Sequence, residues 1–274
     1  MYLAKMGHNM GVVTFARKLL TTGDLDPLYI ALWEARLERS ELCKWLVCYW
    51  CYYHAGLSCW AVSQRDFFGT LLKIAEGETN YPRGTERRHF RKNLAISSVN
   101  NLKDKFSSAE DMVDWLLDAG PSASNIMKRV KTLRGFGEWI CWKIPDMLER
   151  LDLGMVEFVE QDLEHMFKTS KEGAKTLCNV YDLNATNNLQ EAHHFLIRRL
   201  GKRLAPPRYE RVINVQETET ILCKWKSHLG GHYPVGKDTI EIEAGLLDYN
   251  RKLCARKLLR GLQRGLTTGT KREK

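Results

Sequence analysis

The chain has 274 residues, 44% of them hydrophobic and 10% aromatic, which is enough to bury a sizeable core and too apolar for a disordered chain. Lysine and arginine outnumber aspartate and glutamate by 42 to 33, a formal charge of +9 that favours a polyanionic partner, although much of the excess lies in a solvated-looking tail from Arg251 to Lys274. No run of about 18 apolar residues occurs and "MYLAKMGHNMGVV" has no long hydrophobic stretch followed by a cleavage site, so a cytoplasmic protein with no membrane partner is expected.

In chain order, helical periodicity recurs over residues 10–20, 27–37, 39–55, 60–76, 86–104, 108–118 and 123–133. Strand signals are nearly absent. Gly, Pro, Ser and Asn punctuate these runs in "TTGDLDP", "GETNYPRGTE" and "DAGPSAS", and a serine followed by acids in "FSSAEDMVDWLL" suggests an N-cap. A further helix reaches about Arg150, then others are expected near 158–168, 171–180 and 187–200, and after "GKRLAPPRYE" near 216–228, 237–247 and 249–263. The fold class is therefore all-α. The double proline is the best boundary, giving a main helical domain at 1–205 and a C-terminal helical extension at 206–274 with a basic tail, packed on the main domain.

The eight cysteines fall mostly within apolar helical patterns and read as reduced core thiols. Cys48, Cys51 and His54 have a spacing that could serve zinc, but no second pair follows, and Cys178, Cys223 and Cys254 fit no compact iron–sulfur pattern. No metal and no cofactor is expected; a nucleotide-binding glycine-rich lysine loop is absent, which argues against ATP use.

In "NIMKRVKTLRGFGEWICWKI", two helices meet across Gly135 and Gly137, within a hairpin spanning residues 125–148. Their amides can converge at the start of the second helix, where a phosphate oxygen fits. The arrangement resembles the helix-hairpin-helix element of DNA glycosylases, which holds duplex backbone without reading sequence and here would use Leu133, Gly135 and Gly137. Glycosylases of that superfamily carry an aspartate about twenty residues beyond the second glycine, where this chain has Glu157. The lyase-type enzymes also carry a lysine two positions after that glycine, where this chain has Trp139. Pro145 inside the second helix removes a backbone hydrogen bond to Cys141 and is expected to bend it.

A wider pattern joins "FARKLLTTGDLDPLYIALWEARLERSELCKWLVCYWCYYHAG", "YPRGTERRHFRKNLAI", "RVKTLRGFGEWICWKIPDMLERL" and "CKWKSHLGGHYPVGKD". Together they resemble the phage-associated α-glutamyl/putrescinyl thymine pyrophosphorylase family, over most of the chain. The resemblance implies a glycosylase-like helical fold and a role in thymine hypermodification of phage DNA. A kinase would first pyrophosphorylate 5-hydroxymethyluracil in double-stranded DNA, and this amino acid:DNA transferase would then replace pyrophosphate with an amino acid or polyamine.

That chemistry needs a neutral amine, charge neutralisation on the leaving group and access to the base. For the phosphates, "YPRGTERRHFRK" supplies Arg87, Arg88, His89 and Arg91 at helical spacing. For the proton, Glu157, Glu160 and Asp162 are the candidate carboxylates, with Glu157 first on spacing. In "KWLVCYWCYYHAG", Trp45, Cys48, Tyr49 and Tyr52 share one buried-looking face, leaving Tyr53 and His54 as candidates to line a base pocket if the nucleotide is flipped out. Lys224, Lys226 and His228 surround a glycine pair, with Lys224 and His228 on one face suited to a phosphate or a carboxylate. Two other readings remain open at this point: a glycosylase excising a modified base, and a noncatalytic DNA-binding module.

Overall fold

A computed structural model describes residues 10–77, 90, 92–183 and 186–272. The described residues form α-helices and one 3-10 segment, with no strand; the extended pairing among them is two isolated bridges, Ser122 with Glu157 and Leu204 with Val212. The helices are α1 (Val12–Thr21), α2 (Pro27–Ala35), α3 (Arg39–Tyr52), α4 (Ala55–Val62), α5 (Phe67–Glu76), α6 (Lys92–Lys105), α7 (Ala109–Leu117), α8 (Ala123–Lys131) and α9 (Glu138–Arg150). After the 3-10 segment η1 (Glu160–His165) come α10 (Lys168–Val180), α11 (Asn188–Leu200), α12 (Val215–Leu229), α13 (Lys237–Leu247) and α14 (Leu253–Arg272). None of the described helices is long and apolar enough to cross a membrane.

Several boundaries differ from the periodicity, each for a local reason. The run expected at 39–55 stops at Tyr52 because Tyr53 takes a left-handed conformation, φ 52°, and α4 begins afresh. The run at 60–76 is split by Asp66, whose carboxylate accepts the Gly69 N–H at 2.9 Å and caps α5. Ser108 caps α7 in the same way, as the sequence suggests, accepting the Asp111 N–H at 3.0 Å. Residues 158–168 are not an α-helix: the Asp162 carboxylate accepts the Val159 N–H at 2.8 Å and closes a short 3-10 segment instead. The last helix starts at Leu253, not near 249, and α9 runs through Pro145 without ending.

The chain divides into two compact units, each discontinuous in sequence: Met1–Ile30 with Phe158–Ile240 and Arg264–Lys274, and Ala31–Glu157 with Glu241–Gln263. Both sides of Pro206–Pro207, the expected boundary, fall in the first unit, where the Ala205 N–H bonds the Arg211 carbonyl at 2.8 Å and the Ile213 N–H bonds that of Arg203 at 3.0 Å. A loop pinned by its own backbone at both ends makes a turn, not a linker.

In the first unit, α1, α10, α11 and α12 enclose Phe15, Leu19, Leu177, Leu196, Ile221 and Trp225, all essentially inaccessible. Burying each such side chain contributes about 1.5–3 kcal/mol. Helix α10 meets α12 at Gly173, where a Cβ would lie 2.5 Å from the Leu222 carbonyl oxygen, so only glycine permits that crossing. The second unit is centred on α3, which is buried without a break from Trp45 to Tyr52, the mark of a helix with neighbours on every side. Its polar ring atoms are matched inside: Trp50 Nε1 donates to Met147 Sδ at 3.3 Å and the Tyr52 hydroxyl to the Leu71 carbonyl at 2.6 Å.

Candidate nucleic-acid interface

The turn expected to grip DNA lies between α8 and α9 in the second unit. The apolar side of α8, Ile126, Met127 and Val130, continues into Leu133, which is buried and anchors the turn. Gly135 has φ 90°, and a Cβ there would fall 2.3 Å from Ser98 Oγ and 2.9 Å from the Phe90 ring. Glycine at 135 is therefore demanded by backbone conformation and packing together.

Gly137 is different. Its backbone, φ −98° and ψ −177°, suits any residue, and a Cβ there would meet nothing within 4 Å. No packing inside the protein calls for glycine at 137, and a bare backbone there leaves room for close approach from outside. Gly137 is also the N-cap of α9 and offers no side chain to its first amides; the N–H groups of Gly137 and Glu138 meet no acceptor among the described residues. They sit at the positive end of the helix. Lys128, Lys131 and Arg134 are exposed around the turn, Arg134 steadied by a 3.0 Å bond from Nε to Ser97 Oγ. Glu138, also exposed, complements the helix dipole and opposes a phosphate.

A row of aromatic rings reaches this turn from the core. Trp45 stacks on Tyr49 at 4.9 Å between centroids, Tyr49 lies 4.8 Å from Tyr53, and Tyr53 meets Trp139 edge-on at 5.0 Å. A tyrosine in the left-handed region costs of order 1–3 kcal/mol and persists because its surroundings hold it, here Tyr49 on one side and Trp139 on the other. Trp139 is thus a packing partner of Tyr53.

His54 follows and caps α4: its Nδ1 accepts the Leu57 N–H at 3.0 Å while the ring packs edge-on against Tyr249 at 5.8 Å. Burial lowers its pKa below the usual 6.5, Asp248 opposing the shift. In the first unit burial also lowers that of His193, whose Nδ1 lies 2.8 Å from Thr218 Oγ1. A histidine held neutral in the fold contributes full stability above its unfolded pKa and loses it as the pH falls, because the unfolded chain takes the proton first. Thermal denaturation from about pH 7.5 to about 5.5 is therefore expected to show a falling Tm, and His54→Asn, which keeps a cap acceptor, is expected to flatten part of that slope. An unchanged slope in this variant would remove His54 as a contributor.

The three candidate carboxylates are held quite differently. Glu157 is exposed, and its backbone is pinned to the opposite end of α8 from the turn, its N–H donating to the Pro121 carbonyl at 2.7 Å and its carbonyl accepting from Ala123 at 3.0 Å. Nine residues of helix separate those ends, roughly 13 Å. The desolvated surroundings that a general-base role for Glu157 requires are not supplied by its own unit. Asp162 is buried and engaged with the Val159 N–H. Glu160, half-exposed, lies 3.2 Å from His194 Nε2.

Lys224 and His228 are both buried in the first unit, so they do not form the open anion-binding face their spacing suggests. Lys224 Nζ donates to the Asp24 carbonyl at 2.5 Å and pairs with Asp238 at 2.6 Å, and His228 stacks on Phe15 at 4.8 Å with Nδ1 2.8 Å from the Tyr233 carbonyl. Lys226 is half-buried and donates to Thr176 Oγ1 at 3.2 Å. The organising residue is Asp24, fully buried, whose carboxylate accepts from the Tyr233 hydroxyl at 2.9 Å, the Gly236 N–H at 2.7 Å, and the N–H and hydroxyl of Thr239 at 3.1 and 2.9 Å. Sequence reading passes over Asp24, which sits in a loop-like stretch 200 residues from Lys224. Arg87, Arg88, His89 and Arg91 lie outside the described residues.

Residues 20–233 match a family described as amino acid:DNA transferase. The chain is 36% identical over 270 residues to a glycinyltransferase of Pseudomonas phage PaMx11, covering 88% of this chain and 91% of that protein. It is 28% identical over 249 residues to a putrescinyltransferase of Delftia phage PhiW-14, covering 86% and 78% respectively.

Proposed function

The chain belongs to the amino acid:DNA transferase family, and from that premise we propose that it transfers an amino acid or polyamine onto 5-hydroxymethyluracil pyrophosphate in double-stranded phage DNA, releasing pyrophosphate, in the host cytoplasm. The observation that carries the DNA-binding half of this reading is Gly137: a glycine that no internal packing requires, at the start of α9 with no side-chain cap, near exposed Lys128, Lys131 and Arg134. Two amides at a positive helix end and exposed cations alongside suit a phosphodiester, and contacts of that kind hold DNA independently of sequence. Leu133 and Gly135 shape the turn from inside, and Gly137 meets the backbone.

For the chemistry, Tyr53, which meets Trp139 at the turn, and His54, next to it in sequence, are the aromatic candidates to receive a base. The guanidinium groups of Arg87, Arg88 and Arg91, with His89, suit a pyrophosphate leaving group. Excision by a lyase mechanism is disfavoured by Trp139, whose ring is committed to Tyr53. Glycine and putrescine, the groups named in the two relatives, are the donors to test first. The protein is incubated with DNA carrying the pyrophosphorylated base and both donors, then the DNA is digested to nucleosides for mass spectrometry. An added amine mass is the expected result; a lost base would mean excision, and unchanged DNA would reduce the protein to a binding module.

A further inference from the structure

Positive charge in the second unit extends beyond the turn, along α6. One face of that helix carries Ser97, Asn101 and Lys105, spaced four residues apart. The first two hold the turn: Ser97 Oγ accepts from Arg134 Nε at 3.0 Å, and Asn101 Oδ1 accepts the Arg134 N–H at 3.4 Å. Lys105 follows Asn101 by one helical turn, roughly 6 Å along the axis. Its ammonium lies 3.5 Å from the centroid of the Trp115 ring, and the guanidinium carbon of Arg129, from α8, lies 4.9 Å from the same centroid. Lys105 is exposed, and Trp115 and Arg129 are half-buried.

A tryptophan ring attracts a cation, but two cations beside one ring repel each other. Loss of water against the ring and the charge of Arg129 both pull the Lys105 pKa below its usual 10.5. Arg129 has a structural task, donating to the Trp115 carbonyl in the last turn of α7, where helical carbonyls lack partners. Lys105 has no such task. It makes no hydrogen bond among the described residues, neither it nor Arg129 has a carboxylate partner there, and Lys103 already complements the negative end of α6.

We propose that Lys105 and Arg129, gathered at Trp115, form a second phosphate-binding point, which takes a backbone phosphate of the same DNA duplex that the turn holds; the proposal rests on the DNA-binding half of the reading above. An anionic oxygen between the two cations removes their repulsion, paired with the ammonium as a point charge and with the guanidinium through its N–H groups. Helix α6 links this point to the turn through Ser97, Asn101 and Arg134, so the two contacts together set the orientation of the duplex as well as its place. They differ in physical character. Gly137 and Glu138 offer neutral amides, whereas Lys105 and Arg129 bring whole charges that release counterions from DNA.

That difference supplies the test. Duplex DNA is titrated by fluorescence anisotropy over a series of salt concentrations with wild type, Lys105→Met, Lys105→Gln and Lys105→Arg, each first melted to show that it is folded. Lys105→Met keeps an apolar stem over Trp115 and removes the charge. It and Lys105→Gln are expected to bind about tenfold more weakly at about 0.1 M salt and to flatten the slope of log affinity against log salt by about 0.9, the loss of one phosphate contact. Lys105→Arg is expected to keep the wild-type slope. An unchanged slope in folded Lys105→Met or Lys105→Gln would overturn the assignment and leave Lys105 a packing residue of Trp115. A slope flattened equally in Lys105→Arg would overturn it too, because charge would then not be the cause. Failure of the wild-type protein to bind duplex DNA would instead bring down the DNA-binding reading itself, a result visible before any variant is made.

Discussion

Asp24→Ala is expected to lower stability by about 3–5 kcal/mol, the range for removing one member of a buried charged network and leaving its partners unsatisfied. Asp24 is wholly buried and its carboxylate accepts four donors, from Tyr233, Gly236 and Thr239, while its carbonyl receives Lys224. Without the carboxylate, the two backbone N–H groups and two hydroxyls lose their acceptor together, and the ammonium of Lys224 stays buried beside Asp238. The shift corresponds to roughly 6–20 °C in the midpoint of the transition that reports the first unit. Asp24→Asn should lose less, because one of its amide faces still accepts. Lys224→Met discriminates between two roles for that lysine: on this account it lowers Tm and leaves the donor KM unchanged in whatever protein remains folded. A raised KM at unchanged Tm would return Lys224 to the binding site.

The second large effect separates two glycines that look alike in the sequence. Gly135→Val is expected to cost about 2–5 kcal/mol, from a side chain forced to φ 90° and from overpacking against Ser98 and Phe90. Gly137→Val adds a side chain where nothing inside the protein is met, so its stability should fall by no more than about 1 kcal/mol, the cost of replacing a favoured N-cap residue of α9. Its DNA affinity should nevertheless fall by about tenfold, the equivalent of one charge-assisted hydrogen bond to phosphate. Thermal melts paired with fluorescence-anisotropy titrations of duplex DNA at fixed salt read both effects. Unimpaired DNA binding in folded Gly137→Val would place the grip elsewhere on the surface.

The contrast shows where sequence pattern is informative and where it stops. Helical periodicity marks α1, α7, α10 and α11 because each buries one apolar stripe, and a hairpin is legible from two glycines between such runs. Tyr53 is not legible as a helix end, since a left-handed cap is normally glycine or asparagine and here a tyrosine is held there by neighbouring rings. The start of α12, "VQETET", reads as a solvated face, yet it is buried because Ser170, His193 and Arg211 supply its partners from other elements. For the same reason Lys224 and His228 look like a basic surface until Asp24 and Tyr233 are placed beside them. Spacing singles out Glu157, which is exposed at the far end of α8 from the turn, and it does not reveal that Glu160 meets His194 from a helix more than thirty residues on. Pairings made across such distances leave no local period to detect.

Replacement of one pyrophosphate by one amine on the DNA base is checked by quantifying both products in a single reaction. Duplex DNA carrying 5-hydroxymethyluracil pyrophosphate is incubated with the protein and glycine or putrescine, and released pyrophosphate is quantified against amine-bearing nucleoside. Equal amounts of the two are expected, and neither product when the amine is left out. Pyrophosphate released without amine, or bases lost from the DNA in place of an adduct, would contradict it.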